Sequence, residues 1–128
     1  MQYYFSKEFD LKFEEAINKL QEELKKEGFG IITEIDVKST LKNKINVDFR
    51  NYKILGACNP SFAYEALKNE DKIGLMLPCN FIVQEKNNKV EISCINPTIT
   101  MSKVKNPNLE NLANQVKEKL LKVINSIE

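Results

Sequence analysis

The chain has 128 residues, of which 42% are hydrophobic and 29% charged, with a net charge of +1 at pH 7. This composition indicates one soluble globular domain and excludes a disordered chain, while the near-zero charge and the single arginine, Arg50, argue against nucleic-acid binding. The absence of histidine excludes a Ser-His-Asp triad, histidine acid–base catalysis and most catalytic zinc sites.

The sequence also indicates where the protein works. Its first residues lack a basic segment followed by an apolar one, and no apolar run approaches the ~18 residues that span a bilayer. We therefore expect a cytoplasmic protein with no membrane partner. In that reducing compartment, Cys58, Cys79 and Cys94 are expected to be free thiols, because disulfides are rare there.

The chain begins with a predicted strand and a predicted helix. Residues 2–8 are rich in aromatic side chains, with Tyr3 and Phe5 on one face of an extended backbone, which favours a strand. Asp10 suits the N-cap of an amphipathic helix over 11–27, in which apolar residues recur at steps of three and four before a glycine ends the helix.

Residues 30–37 predict a half-buried strand. Its β-branched side chains occupy alternate positions on the side expected to face the core, so Glu34 and Asp36 are expected to share the outer face. Two such carboxylates are usually solvated. They would form a metal site or an acid–base pair only with a third ligand or a proton partner, and the sequence identifies none.

Two short helices are predicted in the middle of the chain. One covers 38–46 and begins at Ser39 or Thr40. The other follows a strand over 52–58, with Asn59 as its N-cap and a proline at its first position.

A β-hairpin is predicted from two β-rich runs, 81–86 and 89–95, joined by the dipeptide Asn87-Asn88. Asparagine tolerates positive φ, so this dipeptide fits a two-residue primed turn. The turn would pair Phe81 with Cys94, which places the Cys94 thiol in the core.

A long apolar stripe from residue 107 onward predicts a second large helix. The chain thus contains five predicted strands and two long helices, and the hairpin requires antiparallel pairing. We therefore predict a single α+β domain over residues 1–128, with a mainly antiparallel sheet and both long helices on one face.

Four spaced segments resemble those of the DUF302 family of uncharacterised bacterial and archaeal proteins. They run from Gly28 to Lys38, from Val47 to Arg50, from Tyr52 to Pro60 and from Gly74 to Asn80. The resemblance covers about residues 28–101. It implies a small α+β fold with a TATA-binding-protein-like arrangement, a tendency to form homodimers, an association of some members with sulfur metabolism, and no established activity.

The candidate site consists of two Cys-Asn pairs. Cys58 precedes a predicted helix N-terminus, where free N–H groups and the helix dipole stabilise a thiolate. If the strands that end at Cys58 and begin near Cys79 are antiparallel neighbours, both Cys-Asn pairs converge. The candidate catalytic residues are Cys58 and Cys79, and the candidate ligand-binding residues are Asn59, Asn80 and Arg50.

Three interpretations of this site stay open at the level of sequence. Both thiols are small core residues, or they carry out redox or sulfur-transfer chemistry, or they belong to a ligand or metal site. Two thiolates are too few for a closed zinc site unless a dimer adds two more, so no metal and no cofactor is predicted. The leading expectation is a non-catalytic homodimer that binds a small molecule or a protein partner, and the alternative is a thiol-dependent redox or sulfur-handling enzyme.

Overall fold

The computed structural model describes residues 2–128, which form one antiparallel sheet flanked by helices. The strands in this part of the chain are β1 (Tyr4–Phe9), β2 (Gly30–Asp36), β3 (Tyr52–Cys58), β4 (Cys79–Lys86) and β5 (Lys89–Ile95). The helices are α1 (Phe13–Lys26), α2 (Val37–Ile45), α3 (Pro60–Asn69), α4 (Pro97–Thr100) and α5 (Pro107–Ser126), with 3-10 helices at Asp71–Met76 and Met101–Lys103. The strand order is β1-β5-β4-β3-β2, with every neighbouring pair antiparallel, so the predicted α+β class is confirmed.

The two long helices, α1 and α5, pack against one face of the sheet and form the main core with it. From the helices this core buries Ala16, Ile17, Leu20, Leu24, Leu120, Val123 and Ile124. From the sheet it buries Leu55, Phe81, Val83, Val90, Ile92 and Cys94. Complete burial of one large aliphatic or aromatic side chain contributes ~1.5–3 kcal/mol, so this cluster is the main source of stability. Within residues 2–128, no helix combines the length and the apolar character needed to cross a bilayer.

The hairpin β4–β5 has the predicted register. Asn87 and Asn88 adopt positive φ angles of 53° and 63°, as a primed two-residue turn requires. Phe81 lies opposite Cys94 in the ladder. The Cys94 side chain is 1% exposed, so its predicted place in the core is confirmed.

Strand β2 differs from the prediction in the direction of its side chains. Its register with β3 shifts between Ile31 and Thr33, which is a β-bulge. Because a one-residue shift turns all later side chains to the opposite face, Glu34 and Asp36 lie on the side covered by helices. Glu34 there forms an ion pair with Lys53 at 2.9 Å. The outward orientation of the two carboxylates was predicted wrongly, because alternation alone does not reveal a bulge.

Two helix starts also differ from the prediction. Helix α1 begins after Lys12, and Asp10 accepts a hydrogen bond from the Lys89 ammonium group at 2.6 Å instead of capping the helix. Helix α2 begins after Asp36, whose Oδ1 accepts a hydrogen bond from the Ser39 backbone N–H at 3.0 Å. Asp36 is therefore the N-cap, and this hydrogen bond lowers the pKa of its carboxyl group.

A smaller hydrophobic cluster lies beside the main core. Its buried members are Ala66, Ile73, Met101, Leu109 and Ala113. It joins α3 and the 3-10 helix Asp71–Met76 to the first turns of α5. The two clusters leave a gap between them, and this gap is the first candidate site.

Candidate functional site

An apolar pocket of about 280 Å³ opens where the main core meets the smaller cluster. The end of β3, helix α3, the segment 74–78 and the N-terminal part of α5 surround it. The lining residues include Phe29, Ala57, Phe62, Ala63, Ala66, Leu77, Met101 and Ala113. Unlike the outer surface of the protein, this pocket is lined almost wholly by apolar side chains.

Small side chains create the pocket. Ala57, Ala66 and Ala113 are at most 5% exposed, and each lines the space with a methyl group where a larger residue would fill it. The volume lies just below the ~300–1,000 Å³ range of ligand pockets. The pocket therefore fits a small molecule or one end of a longer apolar chain.

The pocket brings Cys58 and Cys79 together at one end of the sheet, as predicted. Cys79 lies opposite Ala57 in the β3–β4 ladder, so Cys58 is the next residue along β3. Ordinary spacings of an antiparallel sheet put the two Cα atoms about 6 Å apart. Both residues line the pocket, Cys58 half-buried and Cys79 buried, and both cysteines are free.

Burial affects the pKa values of two of the three thiols. It raises the pKa of Cys79 to about 11, and the neighbouring Cys58 adds to this rise. Burial also raises the pKa of Cys94 well above its ordinary value. Because the thiolate is the reactive form, the raised pKa values make Cys79 and Cys94 less reactive near neutral pH, and Cys58 is the least buried of the three cysteines.

Asn59 has a structural role at the rim of the pocket. Its Oδ1 accepts a hydrogen bond from the Phe62 backbone N–H at 3.4 Å, as expected of the N-cap of α3. Its Nδ2 donates a hydrogen bond to the Glu27 backbone carbonyl at 3.4 Å. Asn59 thus fixes the start of α3, which carries Ala63 into the wall of the pocket.

Asn80 does not join this pocket, so the predicted convergence of both Cys-Asn pairs is wrong. Asn80 belongs to β4, where successive side chains point to opposite faces, and it is exposed while Cys79 is buried. It lies instead in a hollow on the outer face of the sheet, which is the face opposite α1 and α5. Arg50, the remaining candidate, lines the same hollow. The five candidate residues therefore divide into two sites.

The sequence analysis did not predict the side of the pocket that α5 and the preceding segment form. Met101, Leu112 and Ala113 come from α5 and the segment before it, which no local pattern connects with Cys58. The side of the pocket formed by α3 does have a signal in the sequence. Its lining residues recur at helical spacing on one face of α3: Phe62, Ala63, Ala66 and Leu67. An apolar face of this kind on a short helix indicates packing, and only the structure shows that the packing is incomplete.

A comparison with protein families agrees with the resemblance carried by the four sequence segments between Gly28 and Asn80. The model described as "Domain of unknown function DUF302" matches residues 5–127. The chain belongs to the DUF302 family. A crystal structure of an uncharacterized conserved DUF302 protein from Bacillus stearothermophilus superposes with a TM-score of 0.94 at 27% identity and covers 100% of both chains. No curated protein matches the sequence.

The DUF302 match includes every residue that lines the apolar pocket. It also includes the residues that line the hollow on the outer face, except for Tyr3 and Tyr4. Both sites therefore belong to the domain itself. Among residues 2–128, no group of three His, Cys, Asp or Glu side chains lies close enough together to hold a metal ion.

Proposed function

We propose that this DUF302 protein is a cytoplasmic homodimer that binds a small apolar molecule in the pocket beside Cys58. The observation that supports this proposal is an unfilled pocket whose walls are almost wholly apolar and are built from alanines between two packed clusters. A cytoplasmic location agrees with three free thiols.

The walls define the ligand's chemistry. Apart from the two cysteines, Asn59 is the one polar side chain among the lining residues, and its amide already makes two hydrogen bonds to the backbone. A ligand that buried a polar group there would lose its hydrogen bonds to water, at a cost of ~1–3 kcal/mol. We therefore assign the pocket to an uncharged aliphatic or aromatic group.

An uncharged fluorescent probe tests this assignment. N-phenyl-1-naphthylamine is suitable because it brightens in apolar surroundings and the protein has no tryptophan to interfere. Ala63→Phe extends a ring into the pocket and should weaken binding at least tenfold. Ser61→Phe, at an exposed position of the same helix, is the matched control and should bind as the wild type does. Equal binding by both variants, or no binding by the wild type, would contradict the proposal.

The homodimer would cover an edge of the sheet. β1 and β2 are the edge strands within residues 2–128, and an unpaired edge is a template for another strand. We assign the dimer contact to β2, because Ile32 and Ile35 are 62% and 49% exposed there, whereas β1 exposes Lys7 and Glu8. Ile32 also lines the pocket, so a second copy would lie beside the pocket mouth.

Light scattering at micromolar concentration tests the homodimer. We expect a mass near 30 kDa, which is about twice the 14.8 kDa chain. Ile35→Lys should yield monomers, while Glu8→Lys, a charge change on the other edge, should leave the dimer intact. A wild-type monomer across the concentration range would rule the homodimer out.

Thiol chemistry is the second candidate function. It is favoured by the shared position of Cys58 and Cys79 in one pocket and by the place of Cys58 directly before α3. Oxidation of the pair to a disulfide would transfer two electrons and two protons to an oxidant such as a small-molecule disulfide. Substrate turnover that Cys58→Ser abolishes would support the enzyme, whereas probe binding without turnover supports the binding protein.

A further inference from the structure

The outer face of the sheet carries a second cavity that the proposed function does not use. This outer-face hollow has a volume of about 520 Å³. It lies across β1, β5, β4 and β3, and its lining includes Tyr4, Ser6, Arg50, Tyr52, Asn80, Ile82, Gln84 and Ile95. It shares no lining residue with the apolar pocket.

Arg50, the one arginine of the chain, is held in a fixed position at one end of the hollow. Its guanidinium carbon lies 4.4 Å from the centre of the Phe49 ring and 5.7 Å from that of Tyr52. Its Nε donates a hydrogen bond to Gln84 Oε1 at 2.9 Å. Stacking on aromatic rings and a hydrogen bond from Nε together orient the planar group.

The side chain of Gln84, on β4, fixes the orientation of the Arg50 guanidinium group. Its side chain is polar yet only 7% exposed, and its Nε2 donates a hydrogen bond to Glu91 Oε1 at 3.0 Å. Ser93, also 7% exposed, donates a hydrogen bond to the same oxygen at 3.3 Å. Glu91 thus fixes the amide of Gln84, and the amide oxygen in turn fixes Arg50.

The outward side of the guanidinium has no partner in the described part of the chain. A guanidinium has five N–H donors, and the hydrogen bonds among residues 2–128 engage only the one on Nε of Arg50. None of the ion pairs in those residues includes Arg50. The Nη groups form a planar fork of donors, which matches the two oxygens of a carboxylate.

We propose that the outer-face hollow binds a small organic carboxylate, with its two oxygens on the Nη groups of Arg50 and its apolar body on Ile82 and Ile95. Lys86 and Glu91 also line the hollow, so Lys86 offsets the negative charge of Glu91, whose Oε1 already accepts hydrogen bonds from Gln84 and Ser93. Tyr4 and Tyr52 flank the apolar floor and suit an aromatic or short aliphatic body. Asn80 marks the far end, because it lies four positions before Gln84 on β4, which corresponds to about 13 Å along the strand.

The charge of the ligand is tested first, with the wild-type protein. Benzoate and hexanoate are titrated against ¹⁵N-labelled protein, with benzamide and hexanamide as uncharged counterparts of the same shape. We expect the acids to shift the Arg50 Nε–H signal and amides of β4 and β5, and the uncharged compounds to bind at least tenfold more weakly. Inorganic phosphate that binds as tightly as the acids would show attraction of any anion and overturn the proposal.

Two variants then locate the site. Arg50→Gln should weaken benzoate binding about tenfold or more, because one charge-assisted pair is lost, while Lys105→Gln removes the same charge from an exposed loop outside the hollow and should have no effect. Ser6→Glu places a negative charge in the hollow and should also abolish binding. Unchanged affinity in Arg50→Gln and Ser6→Glu, or no wild-type binding of either acid, would overturn the proposal. Ala63→Phe should leave benzoate binding intact, so this test fails or succeeds independently of the apolar pocket.

Discussion

The backbone of Gly56 lies directly against the ring of Pro78. A Cβ built on Gly56 would lie 2.5 Å from Pro78 Cγ and would also overlap Thr33 Oγ1. Since β3 and β4 pair at this point, with Gly56 opposite Asn80, the missing side chain lets the segment before β4 approach the sheet. This close approach helps to set the position of Cys79 at the pocket.

Gly56→Ala should therefore destabilise the protein. We expect a loss of about 1–3 kcal/mol in the free energy of unfolding measured with urea, as for other overpacked sites. Gly30→Ala is the control, because a Cβ there meets nothing within 4 Å. Similar losses in the two variants would show that the close contacts of Gly56 with Thr33 and Pro78 are unimportant.

The three thiols should react in a fixed order. In the native protein near pH 7.5, iodoacetamide should label Cys58 alone, because the raised pKa and burial of Cys79 and Cys94 keep them protonated and covered. Mass spectrometry of the digested protein identifies the labelled residue. Cys58→Ser should remove native labelling, and denaturant should make all three thiols of the wild type reactive. Native labelling of Cys79 would contradict the burial described for it.

Stability should fall in alkaline solution because of Cys79. Its folded-state pKa is about 11, against an ordinary value of 9.0, so the folded protein holds this proton more tightly. The contribution is fully present below about pH 9 and is lost as the pH rises towards about 11. The difference in free energy of unfolding between wild type and Cys79→Ala should shrink by about 2–3 kcal/mol over this interval. A pH-independent difference would argue against the shift.

We expect Asn59 to stabilise the fold through its hydrogen bonds and not to bind a ligand directly. Asn59→Ala removes the N-cap of α3 and should cost about 1 kcal/mol of stability. Asn59→Asp keeps the acceptor for the Phe62 N–H and loses the donor to Glu27, so it should recover most of the loss. Thermal unfolding measures both variants, and probe binding per folded molecule should change little in Asn59→Asp.

Much of the fold follows from local patterns. The register of β4–β5 was predictable because Asn87 and Asn88 favour one turn geometry, and a turn of known length determines which residues pair. The long helices were predictable because their apolar stripes are wide. The faces of β2 were not, since the bulge after Ile31 depends on pairing with residues of β3 about 25 positions along the chain.

The candidate site was predictable only in part. The nearness of Cys58 and Cys79 followed from a strand end and a strand start joined by a short helix. The separation of Asn80 from Cys79 depended on where β4 begins, and β4 begins at Cys79 instead of Phe81. The role of Arg50 required the position of Gln84, 34 residues away, and no pattern within either segment reveals that hydrogen bond.

The division of the interior into two clusters has a consequence for how a ligand enters. Helix α3 and the 3-10 helix Asp71–Met76 contribute only Ala66 and Ile73 to the buried clusters, both in the smaller one, whereas the sheet belongs to the larger one. Segments with few buried contacts open more often than the whole protein unfolds. We therefore expect amide hydrogens of α3 to exchange with solvent much faster than those of β4, and this sub-global opening would uncover the apolar pocket while the strands stay paired.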